Sequence, residues 1–240
     1  MIRPLTLNKK ATNNAHAIYF MRSDRVMITS MILSFVAGYA DTSTFVGADG
    51  LFSAHVTGNF VVFAYDILTN QTAASWSKLI AFPVFILAVF ISTLIIGKIN
   101  DDKKAVKRLM LIEGFLLITA GLAASFYRYE NAASILKDLI PMLVVFALGI
   151  QNASGRFFAK EVLVPTTVMT GNVTQFVIDL TGYLKNKDPE KQKLKLKITG
   201  ALYIILSFLI GCISGGFFTK TVGLESILFI GLLTVLMAKK

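Results

Sequence analysis

A polar Thr-Gly-Asn triplet occurs twice in this apolar chain, as Thr57-Gly58-Asn59 and Thr170-Gly171-Asn172. At the start of a short helix, Thr can cap the first turn with its hydroxyl, Gly permits close backbone approach, and Asn offers a donor and an acceptor. The free N–H groups and the positive end of the helix dipole favour an anion or a polar neutral solute. The alternative is that the triplets only pack helices together.

Further polar residues stand close to each triplet. Asp41 is either solvated at the membrane interface, or it faces a cavity, pairs with Arg156 or His55, and relays protons or binds a cation. His55 precedes the first triplet and is either a satisfied structural group or a proton-handling one. Gln151 and Asn152 offer neutral polar contacts in the second half, where Asn152 takes the place of Asp41.

An acid follows each triplet, Asp66 in the first copy and Asp179 in the second. Each acid falls late in its motif element, where a negative charge near a helix C-terminus is unfavourable. We therefore expect a nearby basic residue to compensate each of them. Arg156 either faces lipid headgroups or pairs with an acid or an anionic substrate. Together with Asp41 and His55, these residues are the candidates for proton or ion coupling.

The composition indicates a membrane protein. Of the 240 residues, 55% are hydrophobic and only 16% are charged, whereas soluble domains carry about a quarter charged residues. Several apolar runs reach the roughly 18 residues needed to cross a hydrocarbon core. A single cysteine, Cys212, and two histidines, His16 and His55, argue against a disulfide framework or a multi-histidine metal site. We predict an all-α polytopic helical membrane protein without a cofactor.

The net charge of +10 comes from basic residues in the N-terminal tail and in short loops. That distribution follows the positive-inside rule and does not indicate a nucleic-acid partner. The tail (1–25), the loops at 98–108 and 185–197, and the C-terminal lysines should all be cytoplasmic.

Six spans reconcile those sides of the membrane. We predict them at residues 26–45, 79–97, 109–126, 139–152 (extending to 158), 198–218 and 222–238. If the first motif element (52–68) crossed the membrane, the basic loop at 98–108 would lie outside. Both motif elements, 52–68 and 167–184, are therefore predicted to enter and return, with both termini inside.

Three spans per half make the second half inverted relative to the first. The single membrane domain (26–238) then contains repeat A at about 26–126 and repeat B at about 139–238. Inverted repeats whose broken helices meet near the membrane midplane are a recurrent transporter design. Nucleophilic catalysis lacks a Ser–His–Asp set or a strained Gly-x-Ser-x-Gly turn, so we do not predict an enzyme.

These motifs resemble those of the YoaK-like family of small bacterial membrane proteins, a domain of unknown function. The first-half pattern of the family is matched by Asp41, Phe52, Thr57, Gly58 and Asn59. The second-half pattern is matched by Gly149, Gln151, Asn152, Thr170 and Gly171. The resemblance implies a six-span protein of the bacterial inner membrane and implies no established substrate.

The sequence thus predicts a small transporter or channel for a small polar or anionic solute, with a site between the two triplets near the midplane. The alternative is a non-transporting sensor or assembly subunit. A continuous polar cavity that reaches the triplets would separate the two. The expected partners are the lipid bilayer and a small solute, and a bundle of this size is compatible with a homodimer.

Overall fold

The computed structural model describes residues 9–69, 75–127, 134–158, 166–167, 170–185 and 190–239, and it contains helices and loops but no strand over those ranges. The helices are α1 Lys9–Gly47, α2 Gly58–Leu68, α3 Ser75–Gly97, α4 Asp102–Phe126, α5 Ser134–Phe157, α6 Thr170–Lys185, α7 Glu190–Val222 and α8 Ile227–Lys239. A 3-10 turn, Leu224–Ser226, precedes α8.

Five of these helices have segments long and apolar enough to cross a membrane: Arg25–Gly47, Trp76–Gly97, Asp102–Phe126, Ile135–Phe157 and Leu194–Val222. They confirm a helical membrane protein and include the first five predicted spans. The backbone of α1 is helical from Lys9, so most of the predicted tail continues the first span as a helix.

The sixth predicted span, 222–238, is shorter than expected. Helix α7 continues to Val222, and Gly223 then takes a φ of 108°, a conformation that favours glycine and breaks the helix. The 13 residues of α8 extend only about 20 Å at 1.5 Å per residue. Five helices of spanning length are therefore present in the described part of the chain, and six crossings remain a prediction.

The first motif element becomes a short helix, as expected. Helix α2 has 11 residues and is about 16 Å long. Its Asn59 and Asp66 are buried, whereas none of the 16 residues of α6 is buried. The two motif helices therefore differ in length and in how deeply they pack.

Glycines bring α1 and α7 into close contact. A Cβ atom on Gly211 would lie 2.2 Å from the Phe35 carbonyl oxygen, and one on Gly215 would lie 2.3 Å from that of Tyr39. The two helices run in parallel, because the contacts advance together along both. The glycines of 211–216 therefore serve as helix-packing positions, since only small residues allow backbones to approach this closely.

Helices α4 and α8 meet through a reciprocal glycine contact. A Cβ on Gly114 would lie 3.0 Å from the Val235 nitrogen, and a Cβ on Gly231 would lie 2.6 Å from the Ile118 nitrogen. Each glycine thus faces the residue four positions after the other glycine. Gly121 faces Leu228 further along, so the two helices run antiparallel.

The neighbour relations of the helices repeat between the two halves. Three pairs of helices in contact have a counterpart when α1, α2, α3 and α4 are exchanged for α5, α6, α7 and α8. The matched pairs are α1 with α7 and α5 with α3, α2 with α3 and α6 with α7, and α4 with α5 and α8 with α1.

Candidate functional site

A cleft of about 500 Å³ lies between the two motif elements. Helix α3 forms an apolar wall with Phe82, Phe85, Ile86 and Val89. The predicted site residues that line it are His55, Thr57, Asn152, Thr170 and Gly171. The cleft therefore brings the start of α2, the start of α6 and the end of α5 together in one place.

Asp41 orients His55 at this cleft. One carboxylate oxygen of the buried Asp41 accepts a 2.7 Å hydrogen bond from the Ala54 N–H, and the other lies 2.7 Å from Nδ1 of His55. The imidazole also packs edge-on against Phe208, with 5.7 Å between ring centroids. Of the two partners predicted for Asp41, the structure selects His55, because Arg156 is exposed at the end of α5.

The second half makes the corresponding loop contact with neutral groups. Asn152 donates from Nδ2 to Oγ1 of Thr167 at 2.9 Å. The separation of 113 residues between Ala54 and Thr167 is the same as that between the two triplets. In both halves, therefore, the end of the long helix holds the loop that leads into the motif helix.

Gln151 is buried away from the cleft. Its Nε2 donates to the Leu33 carbonyl oxygen at 2.8 Å and to Oγ1 of Thr166 at 2.7 Å. In the first half the place of Thr166 is taken by Ser53 and that of Gln151 by Ala40. Ala40 offers no hydrogen bond, so the hydroxyl of the buried Ser53 has no partner. Gln151 thus ties α5 to α1 and to the loop.

The first triplet holds its own loop in place. Asn59 is fully buried, accepts from the Phe52 N–H at 2.8 Å and donates to the Phe52 carbonyl oxygen at 2.9 Å. A Cβ on Gly58 would meet the Phe52 ring at 3.1 Å. The hydroxyl of Thr57 makes no capping hydrogen bond, so the capping role predicted for it is wrong. Thr57 is exposed instead and lines the cleft.

The second triplet opens α6 under different constraints. Apart from its chain neighbours and its own helix backbone, no described residue has an atom within 4 Å of a Cβ built on Gly171. The residue that corresponds to Phe52 is Pro165, which has no N–H to donate. Asn172, which is half-buried in α6, therefore cannot repeat the paired bonds of Asn59.

The two repeated acids have different surroundings. Asp66 is buried and lies 2.5 Å from Nζ of Lys78, which is 1% exposed. Asp179 accepts from Nε2 of Gln175 at 3.0 Å on the surface of α6. The compensating base predicted for the acids is thus present for Asp66. Lys191 lies over the Tyr183 ring, 4.9 Å from its centroid.

Lys78 was not predicted as the partner of Asp66, although the sequence contains a pattern that points to it. It follows Asp66 by twelve residues, and Lys191 follows Asp179 by the same spacing. Another missed residue is Glu113, which is buried in α4 with one carboxyl oxygen unpartnered. Its signal is an acid within an apolar run.

Comparison with known proteins identifies relatives. The family described as "Protein of unknown function (DUF1275)" matches residues 29–239. The chain is 28% identical over 177 residues to the "UPF0700 transmembrane protein YoaK" of Bacillus subtilis (strain 168). The aligned region covers 73% of this chain and 76% of that protein. No solved structure matches. Neither name states an enzymatic activity. The chain therefore belongs to the DUF1275 family of proteins of unknown function, as the motifs predicted.

Proposed function

We propose that this protein is a small integral membrane transporter or channel for a small polar or anionic solute, and that the cleft between the motif elements is the solute site. The observation that carries the proposal is one cleft lined by residues of both triplets. Its volume lies within the range of about 300–1,000 Å³ usual for small-molecule sites.

The chemistry of the lining suits a solute with acceptor groups. Thr57 and Thr170 offer hydroxyls, and His55 and Asn152 offer nitrogen donors. Helices α2 and α6 both begin beside the cleft, and helix N-termini favour negative charge there. The apolar wall of α3 lowers the local dielectric and strengthens each of these interactions. Asp41 fixes the orientation of His55, so His55 is the group that would meet the solute or its proton.

The inverted repeat belongs to the same proposal. Two halves of opposite orientation must place their last helices antiparallel, which is how α4 and α8 pack. The matched helix pairs and the equivalent loop contacts of Asp41 and Asn152 support the same relation. The 3-10 turn and α8 together extend about 25 Å, most of a hydrocarbon core of roughly 30 Å. This length supports a sixth crossing. With six crossings, the basic tail, loops and C-terminal lysines all lie on the cytoplasmic side of the bacterial inner membrane, as the positive-inside rule favours.

One observation favours the alternative of a non-transporting sensor or assembly subunit. The amide oxygen and nitrogen of Asn59 both bond the backbone of Phe52, as expected of a residue whose role is structural. We therefore assign Asn59 to the loop and place solute contacts on Thr57, Asn152, Thr170 and the backbone at Gly171.

Purified protein in liposomes tests the proposal with a panel of small polar and anionic solutes. We expect flux of at least one of them, reduced by Thr57→Val and by Thr170→Val. Loss of one hydrogen bond, worth roughly 0.5–1.5 kcal/mol, should weaken solute binding about two- to tenfold. Thr93→Val is the matched control, because Thr93 is exposed on α3 and bonds only its own helix. Absence of flux for the whole panel, or an equal loss in Thr93→Val, would contradict the proposal.

A further inference from the structure

A buried acid near the middle of α4 takes no part in the cleft. The side chain of Glu113 is 1% exposed, and its Oε1 atom has no hydrogen-bond partner. Over the part of the chain that the structure describes, it makes no ion pair or side-chain hydrogen bond. An ionisable side chain at such a depth in a membrane protein is expensive to maintain and is a functional candidate by default.

Glu113 occupies an apolar position of the helix. The buried stripe of α4 that contacts the core has spacings of three and four residues, and its members are Met110, Glu113, Leu117, Ala120 and Ala124. Four of these five residues are apolar. The carboxyl group therefore faces the interior of the bundle, where Leu117 packs with Ile227 and Ile230.

The charged side chains that the structure describes on the surrounding elements form no ion pair with it. They lie near helix ends or in pairs of their own: Arg25 and Asp41 on α1, Lys78 on α3, Lys137, Asp138 and Arg156 on α5, Glu225 in the 3-10 turn and Lys239 on α8. On α4 itself, Lys107 bonds the carbonyl oxygen of Lys239 at the surface. The described residues also contain no group of three or more His, Cys, Asp or Glu that could hold a metal ion.

These surroundings decide the charge state. An unpaired carboxylate inside the bundle carries an effective penalty of several kcal/mol, and such a group takes up a proton instead. The neutral acid fits an apolar interface, whereas the anion does not. Release of the proton would therefore place an unpaired charge in the tightly packed region where Gly114, the next residue, contacts α8.

We propose that Glu113 is a proton-binding site, and that loss of its proton loosens the contact between α4 and α8. Gly114 and Gly231 make equivalent contacts in the two halves, so the residues just before them, Glu113 and Ile230, also correspond. The pair of halves thus carries one such site and not two. In the proposed transport, on which this role depends, the proton bound by Glu113 is the coupling ion.

Carbodiimide labelling tests the proton site without any transport measurement. Dicyclohexylcarbodiimide is apolar and modifies protonated carboxyl groups inside membranes. We expect mass spectrometry of treated membranes to find the modification on Glu113 at neutral pH, with labelling that falls as the pH rises. Asp66 and Asp41 are matched controls, because both are buried but held by cationic or N–H donors. They should stay unmodified.

Infrared spectroscopy provides a second measurement that does not depend on reagent access. The wild-type protein should show the carbonyl stretch of a protonated carboxylic acid that Glu113→Gln lacks, and Glu113→Asp should restore it. Glu113→Gln should keep the thermal stability of the wild type, since it replaces one neutral group by another. Absence of that band, or labelling of Asp66 as strong as that of Glu113, would overturn the proposal.

The coupling of proton binding to solute flux is measured separately from proton binding itself. In liposomes, Glu113→Gln should abolish the response of solute flux to a pH gradient while solute binding persists. If Glu113 is protonated but flux in the wild type does not respond to the gradient, the coupling role is wrong and the proton site stands. If no solute moves at all, the proposed function fails while the labelling result is unaffected.

Discussion

The buried pair of Asp66 and Lys78 gives the sharpest stability prediction. Lys78 extends from the first turns of α3 to the late part of α2, and both side chains are almost fully buried. Lys78→Met keeps a flexible chain of similar length but leaves the Asp66 carboxylate without its cation. Breaking a buried pair in this way costs about 3–5 kcal/mol, because a charge is left uncompensated.

The expected loss is measurable by thermal unfolding in detergent. A loss of about 3–5 kcal/mol corresponds to a decrease in Tm of roughly 6–20 °C for a chain of this size. Cys212 is the single cysteine, so a thiol-reactive dye reports the exposure of α7 on unfolding. Trp76 is the single tryptophan and packs on Phe63 at 5.9 Å between ring centroids. Its fluorescence therefore reports whether α2 detaches from α3 first.

The chain supplies its own control. Lys191→Met makes the same substitution at the corresponding position of the second half, where the lysine is exposed over a tyrosine ring, and it should change Tm much less. The double variant Asp66→Asn with Lys78→Met should recover most of the loss, since replacing both charges removes the unpaired one. Equal losses in Lys78→Met and Lys191→Met, or no recovery in the double variant, would refute the reasoning.

Two further predictions concern packing and can be checked by the same unfolding assay. Gly215→Ala places a methyl group 2.3 Å from the carbonyl oxygen of Tyr39 and should destabilise by about 1–3 kcal/mol through overpacking, whereas Gly97→Ala, with open space around it, should not. Asn59→Ala removes two buried hydrogen bonds and should cost about 1–3 kcal/mol for each group left unpaired. Asn172→Ala should cost less, and the reverse order would contradict the loop-holding role of Asn59.

Residue patterns predicted the class of protein, the motif helices and several of the residues that line the cleft. The first five spans could be located because apolar runs and flanking charges are local properties of the chain. The contact of Asp41 with His55 could only be offered as one of two alternatives, since the path of the loop at 48–57 decides which partner is reached. The distribution of basic residues constrains which side a loop occupies, but it does not fix the length of a helix. For that reason the sixth span was predicted longer than α8.

Other features depend on packing that the sequence does not display. Thr57 was predicted to cap α2, yet its φ of −71° and ψ of −24° are helical. A capping residue normally has an extended backbone that turns its side chain toward the first N–H groups. The burial of Glu113 follows from the way α5 and α8 enclose one face of α4. The partner of Asp66 was detectable in principle, because an acid and a lysine twelve residues apart occur in both halves.

The most direct test of the central claim is the reactivity of cysteines placed at the two triplets. Thr57→Cys and Thr170→Cys, each in a Cys212→Ala background, would be treated in native membranes with small hydrophilic methanethiosulfonates, one anionic and one cationic. A solute site between two helix N-termini predicts that both positions react and that the anionic reagent reacts faster. If both positions are as unreactive as Thr93→Cys, which is exposed on α3 but does not line the cleft, the cleft is dry and the proposed site is wrong.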